Sequence, residues 1–231
     1  QKHAVSTIQH IVNLLLLRGN IGRPGAGVCP VRGHSNVQGD RTVGITEHPN
    51  ESFLKNLDVQ FGISSPRNSG FNTVQAIQAM ESKIVKVFMG MGGNFARATP
   101  DSSRTEEALA KCDLTVQMTT KLNKTHLAHG KKALILPCLG RSELDLQASG
   151  EQSVTVEDSM GVVHSSRGRN QPASENLKSE VAIVVGMARA AFPENQKIWQ
   201  VLQDDYSLIR KKIEAVLPEL FENYNEKITQ P

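Results

Sequence analysis

Three short apolar runs constrain this chain more than any other feature: "KIVKVFM" at 83–89, "DLTVQM" at 113–118 and "KALILP" at 132–137. Each is short enough for a strand: the first reads as a buried strand, the second as the next strand and the third as a strand closed by Pro137. The segments around them carry a helical period instead. Val74, Ile77 and Met80 share one face of "NTVQAIQAMESK", and Ala108, Leu109 and Cys112 share one face before the second run. Ser103, Arg104, Thr105 and Glu106 fit a capping box that would start that second helix. "LNKTHLAHG" offers a helical turn or two ending at Gly130. Strand, helix, strand, helix, strand with short links specifies a parallel sheet with right-handed crossovers. The expected fold class is α/β: a Rossmann-like parallel sheet flanked by helices.

The rest of the chain frames that sheet. Ile8, Ile11, Val12 and Leu15 fall at helical spacing, and Arg18 with Gly19 suits the end of that helix. A glycine-dense stretch follows, "GNIGRPGAGVCPVRGHSNVQG", read as a loop region to about Thr46. Asn50 reads as the N-cap of a helix carrying Phe53, Leu54 and Leu57 on one face. After Pro137 the chain turns polar, and "SVTVED" and "GVVHSS" suggest a small β excursion. Ser174 is a candidate cap for a helix with Leu177, Val181, Val184 and Ala188 on one stripe. The tail from Lys197 reads as C-terminal helices with a break near Pro218.

Composition excludes several functions. A net charge of +3 with scattered Lys and Arg argues against nucleic acid or a membrane surface as partner. Aromatic content of 4% leaves too few rings for a base-stacking platform. The run "IVNLLLL" is far shorter than the roughly 20 residues that span a bilayer. Cys29, Cys112 and Cys138 are far apart in sequence, without the spacing of a zinc or iron–sulfur site. An odd, sparse cysteine count suits a reducing compartment, so the expected location is cytoplasmic. His126 and His129 lie three apart without an evident third ligand, so no metal site is expected. Glu157, Asp158 and His164 read either as a site or as a polar β turn.

In an open parallel sheet, ligands sit beyond the carboxyl ends of the strands. The loop after the first strand, "GMGGNFARATPD", has glycines that free backbone N–H groups to face phosphate oxygens. It is not a GxGxxG motif, because Asn94 and Phe95 follow Gly92 and Gly93. Gln117, Thr119 and Thr120 stand at the end of the second strand with donors and acceptors for a polar ligand. "PVRGHSNVQG" combines an arginine fork at Arg32 with His34, Asn36 and Gln38.

Residues 19–39 resemble a signature of molybdopterin-dependent oxidoreductases, most closely that of formate dehydrogenase catalytic subunits. A leucine-rich helix, G-N-x-G-x-P-x-A-G, P-V-R-G and N-V-Q-G stand here in the family's order. "MGGN", "VQMTT", "ILP" and "SSRGR" are similar to later, individually weaker family blocks, so the resemblance reaches about Pro193. His34 and Ser35 stand where the family has Gln and Asn, Phe95 where it has Pro, and Met118 where it has an acidic residue.

The resemblance implies an internal fragment of a larger enzyme that carries molybdenum on two molybdopterin guanine dinucleotides. A [4Fe–4S] cluster, where members hold one, is bound by a region absent here, as is the residue that ligates the metal. Residues 1–34 would be the tail of a preceding domain with the cofactor-facing loop. Residues 35–150 would form the dinucleotide-binding α/β domain, and 151–231 the β excursion and helices packing on it. Arg32 falls on the family's active-site arginine, with His34 beside it as the second catalytic candidate. Gly33, Ser35, Asn36, Gln38, Gly39, Gly92, Gly93, Asn94, Gln117 and Thr119 fall on the cofactor-facing loops. Implied partners are a small-molecule substrate, the remaining domains of the parent chain and a redox partner. Two other readings stay open: a degenerate α/β scaffold without catalysis, and the central domain of a thiamine-diphosphate enzyme.

Overall fold

The computed structural model describes residues 3–31, 33 and 36–229. Helix α1 (Ala4–Leu17) is followed by α2 (Val37–Thr42), α3 (Glu51–Phe61) and α4 (Thr73–Glu81). The central unit is β1 (Val87–Met91), α5 (Phe95–Ala98), α6 (Ser102–Ala110), β2 (Leu114–Thr119), a 3-10 turn at Lys124–Leu127 and β3 (Lys132–Pro137). Two hairpins follow, β4 (Leu146–Gln147) with β5 (Gly150–Glu151) and β6 (Val154–Glu157) with β7 (Val163–Ser166). The chain ends in α7 (Glu180–Ala191), a 3-10 turn at Pro193–Asn195, α8 (Gln196–Asp204), α9 (Tyr206–Val216), α10 (Pro218–Phe221) and α11 (Tyr224–Lys227).

The fold is α/β, as expected. Strands β1, β2 and β3 pair in parallel in that order, with Met89 opposite Val116 and Val116 opposite Leu134. One face packs through Phe88 on Ile77 and Met80 of α4, Ala96 of α5, and Ala108, Leu109 and Cys112 around α6. The other face sets Met118, Leu136 and Cys138 against Ile183 and Met187 of α7. Fully burying each of the larger apolar side chains contributes about 1.5–3 kcal/mol. Helix α1 buries none of its residues. No helix among the described residues is long and apolar enough to cross a membrane.

Several local expectations need correction, among them the buried first strand: β1 leaves Val87, Met89 and Met91 exposed. The first apolar run enters the sheet late: the Ile84 and Val85 N–H groups both close back on the Ala79 carbonyl at the end of α4. Ser103 is not a cap, because Asp101 takes that place and accepts the Arg104 N–H at 3.0 Å. Ser174 is not a cap of the later helix either; Ser179 is, accepting the Ala182 N–H at 3.1 Å. The buried residues of α7 are therefore Ala182, Ile183 and Val185, not the stripe from Leu177. The loop expected to run to Thr46 contains α2, and the tail breaks at Asp205 as well as at Pro218. Asn50 caps α3 as read, accepting the Phe53 N–H at 2.8 Å. Helix α1 ends in a Schellman motif, with Asn20 N–H on the Leu15 carbonyl and Gly19 left-handed at φ 66°.

The loop after α3 carries a pH prediction. Asp58 accepts the Ser65 N–H and an Arg67 N–H, both at 2.7 Å. Hydrogen bonds from Ser65 and then Arg67 hold its carboxyl down to about 2, from an ordinary 3.8. A depressed carboxyl binds fewer protons folded than unfolded, so its stabilisation is present above the ordinary value and lost as pH falls toward the depressed one. Acid titration of the thermal midpoint should therefore show a shallower fall for Asp58→Asn than for the native chain in the window from 3.8 down to about 2. Superimposable acid limbs would show that the loop contacts do not survive in solution.

Candidate functional site

The carboxyl end of β1 is an open backbone cradle. Gly92 and Gly93 are both left-handed, at φ 63° and 65°, and a Cβ on either would meet no atom within 4 Å. Gly92 N–H still extends the ladder by donating to the Met118 carbonyl at 2.8 Å. Beyond it, the N–H groups of Gly93 and Asn94 have no acceptor among the described residues. Successive N–H groups in such a turn form a concavity suited to an anion.

Thr125, buried behind this cradle, holds it together. Its hydroxyl donates to Asn94 Oδ1 at 2.9 Å and accepts the Ala96 N–H at 3.0 Å. Its carbonyl accepts Gln117 Nε2 at 3.1 Å. Asn123 caps the same turn through the Thr125 N–H and donates from Nδ2 to the Gly93 carbonyl at 2.7 Å. Asn123 and Thr125 were missed as site-building residues, although Asn-x-Thr opening a short helical turn is a capping signal. Gln117 is buried, and Thr119 spends its hydroxyl on the Lys121 carbonyl at 2.7 Å. Gln117 reaches the cradle through Thr125, whereas Thr119 is engaged with its own loop at Lys121. His126 accepts the Asn123 N–H at 3.0 Å, whereas His129 lies against the Gly130 carbonyl, so the two rings serve separate structural contacts. No group of three or more His, Cys, Asp or Glu able to hold a metal occurs among the described residues.

The glycine-dense stretch meets the second hairpin. Gln38 Nε2 donates to the carbonyls of Glu157, at 3.0 Å, and of Asp158. Asn36 Oδ1 accepts the Glu157 N–H at 2.9 Å. Gly33 is exposed with open space at its Cβ position. Arg32, His34 and Ser35 lie outside the described residues. Asp158 and His164 do come together, Oδ2 to Nε2 at 2.7 Å, and Asp158 also accepts the Met160 and Val162 N–H groups. Those bonds, His164 first, lower the Asp158 carboxyl, and the cluster is a closed β turn. Between the two regions lies an apolar cavity of about 460 Å³ whose lining includes Val43, Met91, Val181, Val184, Trp199 and Ile213. Val181, Val184 and Val185 of α7 all line this cavity, and of the three only Val185 is fully buried.

No family model matches the chain. An "Uncharacterized oxidoreductase" of Mycobacterium tuberculosis H37Rv is 57% identical over 99% of this chain. "Protein YdeP" of Escherichia coli K12 is 50% identical over the whole chain. The chain spans only 29% and 30% of the length of these two relatives. "Putative formate dehydrogenase YrhE" of Bacillus subtilis is 28% identical over half of the chain, which covers 13% of its length.

Proposed function

We propose that this chain is the cofactor-binding segment of a molybdopterin-dependent oxidoreductase, formate dehydrogenase-like, that oxidises a small substrate by two-electron transfer to molybdenum. The observation that carries the reading is the open cradle at Gly92–Asn94, with two left-handed glycines and two N–H groups that have no acceptor among the described residues. The printed names of one long match, "Uncharacterized oxidoreductase", and of one partial match, "Putative formate dehydrogenase", agree with it.

The cradle suits the anionic pyrophosphate of a guanine dinucleotide, because backbone N–H groups and absent side chains let the phosphates approach closely. Gly92, Gly93 and Asn94 would hold that pyrophosphate, with Gln117 bracing the cradle through Thr125 and Thr119 at the neighbouring strand end. Gly33 and Ser35 would face the cofactor from the loop that also carries Asn36, Gln38 and Gly39. Molybdenum, when bound, supplies the acceptor for the two electrons. Arg32 would orient a small carboxylate through its planar fork, and His34 would stand ready to move a proton near neutral pH. In this reading the protein is cytoplasmic. Its other segments supply the metal ligand and, where present, a [4Fe–4S] cluster that passes electrons to a redox partner.

The full-length protein, purified from a host that makes molybdenum cofactor, should contain molybdenum with two pterin dinucleotides per metal. A folded protein with neither overturns the reading. It would leave the second reading, a scaffold without cofactor, which is favoured by one observation: Gln117, Thr119 and Asn94 all have side-chain groups engaged inside the chain.

A further inference from the structure

Asn36 occupies the N-cap position of α2, yet its side chain makes no capping bond to that helix. Asparagine at this position ordinarily accepts an N–H from the first turn of its own helix. Here the carboxamide oxygen instead accepts the N–H of Glu157, 121 residues away. Gln38 makes the complementary contact, donating to the carbonyls of Glu157 and Asp158. Two carbonyls at one amide nitrogen leave a single reasonable orientation for that amide. Its Oε1 is buried with no donor among the described residues. Gly39 completes the arrangement: a Cβ there would stand 2.1 Å from Asn36 Oδ1 and 2.9 Å from its Cγ. Three residues of the Asn-Val-Gln-Gly stretch therefore serve one contact.

We propose that Asn36, Gln38 and Gly39 are positioning residues that clamp the arginine-bearing loop onto the β6–β7 turn, rather than residues that touch a cofactor. The turn is a rigid anchor, because Asp158 closes it through Met160, Val162 and His164. The clamp fixes the start of α2 against that turn. Its consequence for turnover rests on the proposed function, whereas the clamp itself does not.

The test is amide hydrogen exchange across residues 33–43 in the full-length protein prepared without cofactor. Gln38→Glu keeps the shape but sets a carboxylate against two carbonyls, and exchange should rise roughly tenfold or more. Asn36→Asp keeps the acceptor for the Glu157 N–H and should stay close to the native rate. Gly39→Ala displaces the Asn36 amide and should loosen the same segment as Gln38→Glu does. Native exchange in Gln38→Glu, or equal effects of Asn36→Asp and Gln38→Glu, overturns the clamp. In protein prepared with cofactor, Gln38→Glu should keep its molybdenum and pterin content while kcat falls. A parallel loss of pterin would mean that Gln38 touches the cofactor and would overturn the positioning role. Absence of pterin from the native protein would sink the proposed function, and the exchange rates would still decide the clamp.

Discussion

Gly168→Ala should destabilise the protein by at least about 3 kcal/mol, the upper end of what overpacking does in a native interior. A Cβ on Gly168 would stand 1.9 Å from the Glu143 carbonyl oxygen, 2.3 Å from its carbon and 2.7 Å from its nitrogen. All three atoms are backbone, so no rotamer change relieves the clash. Nor can either segment move away cheaply. The Arg169 and Asn170 N–H groups donate to the Ser142 carbonyl at 2.9 Å, and Leu144 N–H donates to the Asn170 carbonyl at 2.8 Å. The Glu143 carboxylate is tied to the N–H groups of Gly140 and Ala173 at 2.6 and 2.7 Å. Gly62→Ala is the matching control. Gly62 is left-handed at φ 64° with nothing within 4 Å of its Cβ position, so only the backbone strain applies. That strain costs about 1–2 kcal/mol. Denaturant melts of the two variants separate the cases. Equal losses would mean that the approach of residues 143 and 168 relaxes in solution.

This contact marks the limit of what could be read from the residues in order. The sheet was legible because its signal is local: three apolar runs with helical spacing between them admit few arrangements. The Asn50 cap was legible for the same reason. Ser103 was misread because "PDSSR" offers three capping side chains in a row, and the extended backbone falls at Asp101. Ser174 was misread because a distant contact decides the matter. Lys178 pairs in parallel with Cys138, and the Leu139 N–H donates to the Lys178 carbonyl at 3.0 Å. That pairing holds the chain extended until Ser179, and no pattern between 174 and 180 encodes it. The candidate site divides along the same line. Glycines past a strand end announced the cradle. Gln117, by contrast, looked free to meet a ligand because its partner Thr125 lies in a turn that folds back onto the strand, whereas Thr119 is engaged only two residues on, at Lys121. Asn36 and Gln38 meet a hairpin more than a hundred residues on, a distance over which side-chain type alone predicts nothing.

Arg32→Ala should lower turnover of a small anionic substrate by the full-length enzyme roughly a hundred- to a thousandfold, the usual loss on removing one preorganised electrostatic donor. A guanidinium offers two parallel N–H bonds to a carboxylate and keeps its charge at every accessible pH. Under the proposed function those bonds would hold the substrate's reacting bond in register with the electron acceptor, so the loss should fall on kcat as well as on KM. Arg32→Lys keeps the charge but not the fork. It should recover part of KM and little of kcat, because a point charge attracts the carboxylate without fixing its orientation. Metal and pterin content should be unchanged in both variants, since the cradle at Gly92–Asn94 is built from other loops. Full turnover in Arg32→Ala would remove the arginine from the reaction and leave its loop to the clamp alone. Loss of cofactor along with turnover would make Arg32 a cofactor contact instead. Only the combination of retained cofactor, lost kcat and partial rescue of KM by lysine assigns it to the substrate.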